Sequence, residues 1–253
     1  MSVALISSAA SHVGKVRERN EDAFAADDGL GLYVVADGMG GHPNGHVASA
    51  NAVSAVCTFV EARYSAGEVR DVSIWAREAV LAANAEIEAA NAGLAAHQQM
   101  GTTLCVLLID EDGGFALANV GDSRCYRVEA DSDRGRGRID LISRDDTVAA
   151  DLIARGVAPE LVRGAQHNTL TQAIGMMTHR GPNLSVGMLH PGDAVIMCTD
   201  GVTNYVDDTA FRGVLMALRE APDALVQALI RGALNGGGGD NCTCIGILAR
   251  DPA

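Results

Sequence analysis

Three apolar runs in this chain meet an aspartate that is followed at once by glycine or asparagine, and that recurrence limits the folds available to it. Gly31-Leu32-Tyr33-Val34-Val35-Ala36 runs into Asp37-Gly38-Met39-Gly40-Gly41-His42. Val195-Ile196-Met197-Cys198-Thr199 runs into Asp200-Gly201. Gly236 to Gly239 leads to Asp240-Asn241, immediately before the apolar run Cys242 to Leu248. Each reads as a carboxylate in a tight turn at a strand's mouth. Glycine there tolerates positive φ and carries no side chain, so the backbone can approach an ion closely. An isolated Asp-Gly is ordinarily just a turn, but three at strand mouths can converge only if their strands lie side by side. Convergent carboxylates repel unless a hard cation neutralises them, and oxygen-only ligands point to magnesium or manganese.

The core must be built largely from Ala, Val, Leu and Ile, because 48% of the 253 residues are hydrophobic but only 4% are aromatic. That length suits one large domain or two small ones. With 19 basic and 32 acidic residues the net charge is −13, which argues against nucleic acid and anionic membranes as partners, since both select a basic face. No apolar run reaches the roughly 18 residues of a membrane span. Met1 to Ile6 lacks the basic region of a secretory signal, so the expectation is a cytoplasmic protein, with a monomer as the default. None of the six cysteines forms a Cys-x-x-Cys pair; most lie in apolar runs and read as buried free thiols.

Residues 3–7 and 23–36 read as strands. Apolar residues at 47, 50, 53, 56, 57 and 60 give helical spacing over 46–63, and an Ala-rich helix follows over 72–95 with Asp71 as its N-cap. Strands at 102–109, 114–120 and 123–128 are joined by glycine turns. Glu129 to Arg138 is a polar loop, Ile139 to Leu141 a short strand, and 146–164 two short helices. Strands at 184–189 and 193–199, helices at 208–219 and 222–234, and a strand at 242–249 complete the chain. Strands, a helix pair, hairpin-linked strands, a second helix pair and a strand do not alternate as a βαβ fold does. The order suits an α+β sandwich, helices outside and antiparallel sheets inside.

Arg17-Glu18-Arg19-Asn20-Glu21-Asp22, the Asp37 to His42 segment, Met100-Gly101-Thr102-Thr103, Val120-Gly121-Asp122-Ser123-Arg124, Cys198-Thr199-Asp200-Gly201 and Gly239-Asp240-Asn241 occur in that order. The set resembles the metal-dependent Ser/Thr protein phosphatases of type 2C, in particular their bacterial branch, from about His12 to Leu248. The resemblance implies a four-layer α-β-β-α sandwich over a single domain, 1–253, with a flap at about 143–170. It also implies that Asp37 bridges two manganese or magnesium ions and that the Gly38 carbonyl ligates one of them. Asp200 and Asp240 would complete the first ion's protein ligands, and Asp22, helped by Glu21, would hold the second. Asp122, with Asp200, would form a third and weaker site used by some bacterial members. Arg17 would bind the substrate phosphate, and a metal-bridging hydroxide would attack phosphorus directly. Substrates would be phosphoserine and phosphothreonine proteins, the marks of an opposing Ser/Thr protein kinase.

Two positions depart from that pattern. Some relatives place a histidine directly after Asp-Gly as general acid; here Met39 stands there, leaving His42 or a metal-bound water for the role. In the flap, where relatives often carry Asp-His-Ser, this chain has Asp145-Asp146-Thr147. These departures keep a rival open: a non-catalytic, metal-binding phosphoprotein regulator of the same fold. A hydrolase of small phosphates or nucleotides is a second rival, but the scarce aromatics give no sign of a base-stacking wall. Cys57 to Arg63 and Cys244 to Arg250 match Cys-x5-Arg, the anion loop of cysteine phosphatases. Both fall inside regular elements whose amides are already used. His42 and His46 are four apart, but Pro43 and Gly45 oppose a helical zinc pair and no third ligand is evident.

Overall fold

The computed structural model describes residues 2–39, 44–130, 137–176 and 180–252. Among the described residues, ten strands form two five-stranded sheets, antiparallel throughout. The first runs, edge to edge, β1 (Ala4–His12), β10 (Cys242–Arg250), β9 (Ala194–Cys198), β6 (Arg124–Val128), β7 (Ile139–Leu141). The second runs β2 (Asp22–Asp27), β3 (Leu32–Asp37), β4 (Leu104–Ile109), β5 (Gly114–Val120), β8 (Asn183–Met188).

Side-chain alternation along each strand sets the layers. Leu32, Val34 and Ala36 of β3 join a core with α1 (Gly45–Ser65) and α2 (Val72–Asn91), while Tyr33 and Val35 face the other sheet. Ala194, Ile196 and Cys198 of β9 join a core with α6 (Asp208–Leu218) and α7 (Pro222–Asn235), while Val195 and Met197 face inward. Helix pair, sheet, sheet, helix pair is the expected four-layer α+β sandwich. Because the central strands are covered on both faces, their sequences read as unbroken apolar runs. Alanines such as Ala48, Ala52, Ala79 and Ala83 are fully buried in the helix–sheet core, which lets the α1–α2 layer pack closely without aromatics.

Local chemistry sets most element ends. Asp71 caps α2, its Oδ1 accepting from the Ser73 and Ile74 amides at 3.0 and 3.1 Å. That helix stops at Asn91, short of residue 95, where Asn91 turns its carboxamide onto both peptide groups of Met100. The run 23–36 is a hairpin, not one strand. Asp27 Oδ1 accepts from the Leu30 amide at 2.8 Å, and Gly31 turns the chain at φ +54°, where a Cβ would lie 2.2 Å from the Ile109 carbonyl. Segment 146–164 holds one short helix, α3 (Val148–Ala154), and a single 3-10 turn at Pro159–Leu161, followed by α4 (Gly164–His167). Within the loop expected over 129–138, residues 131–136 lie outside the described residues, as does His42.

Candidate metal centre

Strand register decides which carboxylates meet. Asp22 and Asp37 are directly opposed across β2 and β3, so they project to one face. Tyr33 and Val35, which alternate with Asp37, identify that face as the one toward the other sheet. Asp200, which opens the one-turn helix α5 (Asp200–Thr203), and Asp240 stand where β9 ends and β10 begins. The expectation of three strands side by side is therefore corrected. Only β9 and β10 are neighbours; β3 belongs to the opposite sheet, and the carboxylates gather across the inter-sheet layer at its open end.

Each aspartate is held by groups close to it in the fold. Asp22 Oδ2 accepts from Thr199 Oγ1 at 2.9 Å and Thr243 Oγ1 at 2.7 Å, which ties the two sheets together. The Asp37 amide donates to Thr103 Oγ1 at 2.9 Å, and its carbonyl accepts from Thr102 Oγ1 at 2.8 Å and the Thr103 amide at 2.9 Å. Asn204 Nδ2 donates to Asp200 Oδ2 at 3.0 Å. Arg17 Nη2 donates to Asp240 Oδ2 at 2.9 Å, and the Asn241 amide to Asp240 Oδ1 at 2.8 Å. Arg19 instead sets its guanidinium on the His46 ring, 3.0 Å from Nε2, so of the two arginines it is Arg17 that lines the cavity.

The Asp-Gly pairs have a steric origin. Gly38 and Gly201 do not adopt positive φ, against the expectation that backbone freedom selects glycine there. A Cβ on Gly38 would lie 2.2 Å from the Gly45 carbonyl oxygen, and one on Gly201 only 1.7 Å from that of Asn241. Close backbone packing at the strand mouth excludes every other residue.

Like charges crowd this layer. Burial, then repulsion from Asp22, Asp200, Asp122 and Asp240, pushes the Asp37 carboxyl well above the usual range. Burial raises Asp22 to about 7 despite the opposing Thr243 and Thr199 hydrogen bonds, with Asp200 and Asp240 adding to the rise. Asp122 is likewise pushed up to about 7, by burial and then by Asp200 and Asp145. Asp200 is raised by burial and then by Asp240, with Arg17 and Arg124 acting the other way.

Among the described residues, no three acidic, imidazole or thiol groups are gathered tightly enough to form a ready cation cage. Threonines hold one oxygen of Asp22, and Arg17 holds one of Asp240. The donor chemistry nevertheless fits a hard divalent cation. Asp22 Oδ1 and Asp200 Oδ1 are buried without any hydrogen-bond partner, a costly condition for a carboxylate oxygen that an oxygen-ligated ion relieves. The aspartates border an open cavity of about 430 Å³. Arg17, Glu21, Gly38 and Met39 line it with Asp37, Asp122, Asp200 and Asp240, and so do Asn168 to Leu170 of the expected flap. Asp22, paired with Asp37 across β2 and β3, is not part of that lining.

Asn241 is the organising residue that the sequence reading quoted without a role. Its Oδ1 accepts from the Glu21 amide at 2.8 Å, and its Nδ2 donates to the carbonyls of Val13 and Arg19, both at 2.9 Å. It thereby fixes the loop bearing Arg17 and Glu21 against β10. Its position directly after Asp240 was the only available signal.

A family model described as Protein phosphatase 2C matches residues 10–229. The serine/threonine protein phosphatase PstP of Mycobacterium tuberculosis is 31% identical over 241 residues, 94% of this chain but 43% of that protein. The chain thus spans less than half the length of that relative. The serine/threonine phosphatase stp of Listeria monocytogenes is 28% identical over 94% of this chain and 93% of its own length. The crystal structure of the PstP catalytic domain in complex with two manganese ions superimposes with a TM-score of 0.82 at 29% identity, covering 99% of this chain and 100% of that one.

Proposed function

The chain belongs to the protein phosphatase 2C family, and on that premise we propose that it is a manganese- or magnesium-dependent hydrolase of phosphoserine and phosphothreonine in proteins, opposing a Ser/Thr protein kinase. The observation that carries this reading is the meeting of Asp37, Asp200 and Asp240 with Arg17 around one open polar cavity. PstP, whose catalytic domain was crystallised with two manganese ions, supports the choice of cation.

Asp37, with the Gly38 carbonyl, Asp200 and Asp240 would hold one cation and Asp22 would share in a second; Asp122 with Asp200 is the candidate for a third. Bound there, the cations would supply charge neutralisation at the phosphate and an activated water as nucleophile. The protein's own residues do the positioning. The Thr102 and Thr103 hydroxyls and the Thr103 amide hold the Asp37 peptide groups at the end of β3. Arg17 presents a planar fork that matches two phosphate oxygens, and its side chain, 42% exposed, can reach a substrate at the cavity mouth. Asn241 holds the Arg17 loop in place. His42 is the candidate proton donor to the leaving alkoxide. Segment 143–170 acts as the flap, Asn168 to Leu170 meeting the substrate's flank.

Phosphate release from a phosphothreonine peptide, with manganese and then with EDTA, tests the assignment. Turnover that requires manganese and is lost in Asp37→Ala, with the fold kept, is expected. A folded protein inactive under both conditions would favour the regulator reading, and wild-type turnover in Asp37→Ala would sink the ligand assignment.

A further inference from the structure

One buried carboxylate beside the centre has no part in that chemistry. Asp146 is 4% exposed and does not line the cavity; it stands where the resembled pattern often carries histidine. Its amide donates to the Gly121 carbonyl at 2.9 Å, and its Oδ2 accepts from the Gly121 amide at 3.1 Å. A single residue thus grips position 121 through both peptide groups. Oδ2 also accepts from Gln172 Nε2 at 3.3 Å, and Oδ1 accepts from Asn183 Nδ2 at 3.0 Å, on β8. All three partners of the side chain are donors, so the fold uses it as a carboxylate. Burial raises its pKa, while Asn183, the Gly121 amide, Arg180 and Arg144 act the other way.

What Asp146 grips is the turn that carries Asp122. Gly121 sits at φ +98°, and a Cβ there would strike the Thr103 side chain at 2.6 Å. Thr103 Oγ1 in turn accepts from the Asp37 amide and is hydrogen-bonded to Ser123 Oγ at 2.8 Å. The turn is therefore pressed between Asp146 on one side and the anchor of Asp37 on the other.

We propose that Asp146 is a positioning residue that, through Gly121, holds the Asp122 carboxylate in register with Asp37 and Asp200 and so sets the affinity of the cation site that includes Asp122. The proposal rests on the reading of Asp122 as a ligand. Groups behind metal ligands commonly change affinity by about 10- to 100-fold when altered. The Asn variant keeps the volume of Asp146 but turns an amide toward one of three donors.

The test is manganese binding to the full chain by calorimetry, with manganese dependence of turnover as a second readout, in Asp146→Asn, Asp122→Ala and the double variant. Thermal unfolding and far-UV circular dichroism establish that each is folded. Asp146→Asn should weaken the weakest manganese site about tenfold and shift the half-saturating concentration to match. In the Asp122→Ala background the same substitution should change nothing further, because the group it positions is gone. If Asp146→Asn does not fold, Asn183→Ala, which releases Oδ1 of Asp146 together with the Arg144 carbonyl, should give a smaller weakening of the same sign. Unchanged manganese affinity in the Asp146 or Asn183 variant, or equal weakening in both backgrounds, overturns the positioning role. An Asp122→Ala protein that binds manganese as wild type does removes Asp122 from the ligand set, and the proposal falls with it.

Discussion

Replacing Asp22 by asparagine should stabilise the metal-free protein while impairing it as a metalloenzyme. Asp22 is held between the sheets with Oδ1 unpartnered and its pKa raised from 3.8 to about 7. A carboxyl whose folded-state pKa is raised favours folding while protonated. That contribution is complete below about pH 4 and is lost as pH rises through about 7, because the folded state then binds more protons than the unfolded chain. A pKa unit is worth about 1.4 kcal/mol, so keeping this carboxylate charged at pH 8 without a cation costs about 4 kcal/mol. Asparagine stays neutral. Its Oδ1 can accept from Thr199 and Thr243, trading two charge-assisted hydrogen bonds for neutral ones at a cost of about 1 kcal/mol or more. A net gain of about 2–3 kcal/mol corresponds to about 5–10 °C in Tm for a chain of this size. Calorimetric melting with EDTA should show that gain at pH 8, less of it at pH 5 and none below about pH 4. With saturating manganese the order should reverse, since the variant forfeits part of the linkage stabilisation by the ion. An Asn variant that melts at or below wild type at pH 8 in EDTA would refute the claim that burial and like charge dominate at this position.

Further substitutions separate the roles assigned above. Arg17→Lys should raise KM for a phosphopeptide about tenfold or more with a smaller loss in kcat, since an ammonium cannot match two phosphate oxygens at once; steady-state kinetics at saturating manganese reads this. Gly201→Ala drives a Cβ to 1.7 Å from the Asn241 carbonyl oxygen, and should lower stability by about 1–3 kcal/mol or more and depress manganese affinity, measured by denaturant unfolding and metal titration. Asp71→Ala removes the cap of α2, far from the cavity, and should cost about 1 kcal/mol in denaturant unfolding while leaving kcat/KM unchanged.

Local chemistry made much of this legible from the sequence. The glycines after Asp37 and Asp200 mark strand mouths, Asp71 marks a helix start, and the apolar runs that become β3, β9 and β10 stand out because both their faces are covered. That double coverage also hid information. A run buried on both faces has no period-2 pattern to reveal which residues face which layer, so nothing local says that β3 lies in the sheet opposite β9 and β10. The break between β2 and β3 depends on Gly31 packing against Ile109, a contact 78 positions away in sequence. Thr199, Thr243 and Asn241 were missed as site residues for a similar reason. A threonine beside an aspartate has no distinguishing pattern until register brings it to Asp22, and Asn241 matters through Val13, Arg19 and Glu21 at the other end of the chain.

Anomalous diffraction from crystals grown with manganese would locate the ions among the carboxylates. Manganese peaks are expected bounded by the carboxylates of Asp37, Asp200 and Asp240, with Oδ2 of Asp240 released from Arg17 and the Arg17 guanidinium turned to the cavity mouth. Ordered crystals of the folded protein with no anomalous density among those carboxylates, at millimolar manganese and neutral pH, would contradict the ligand assignment.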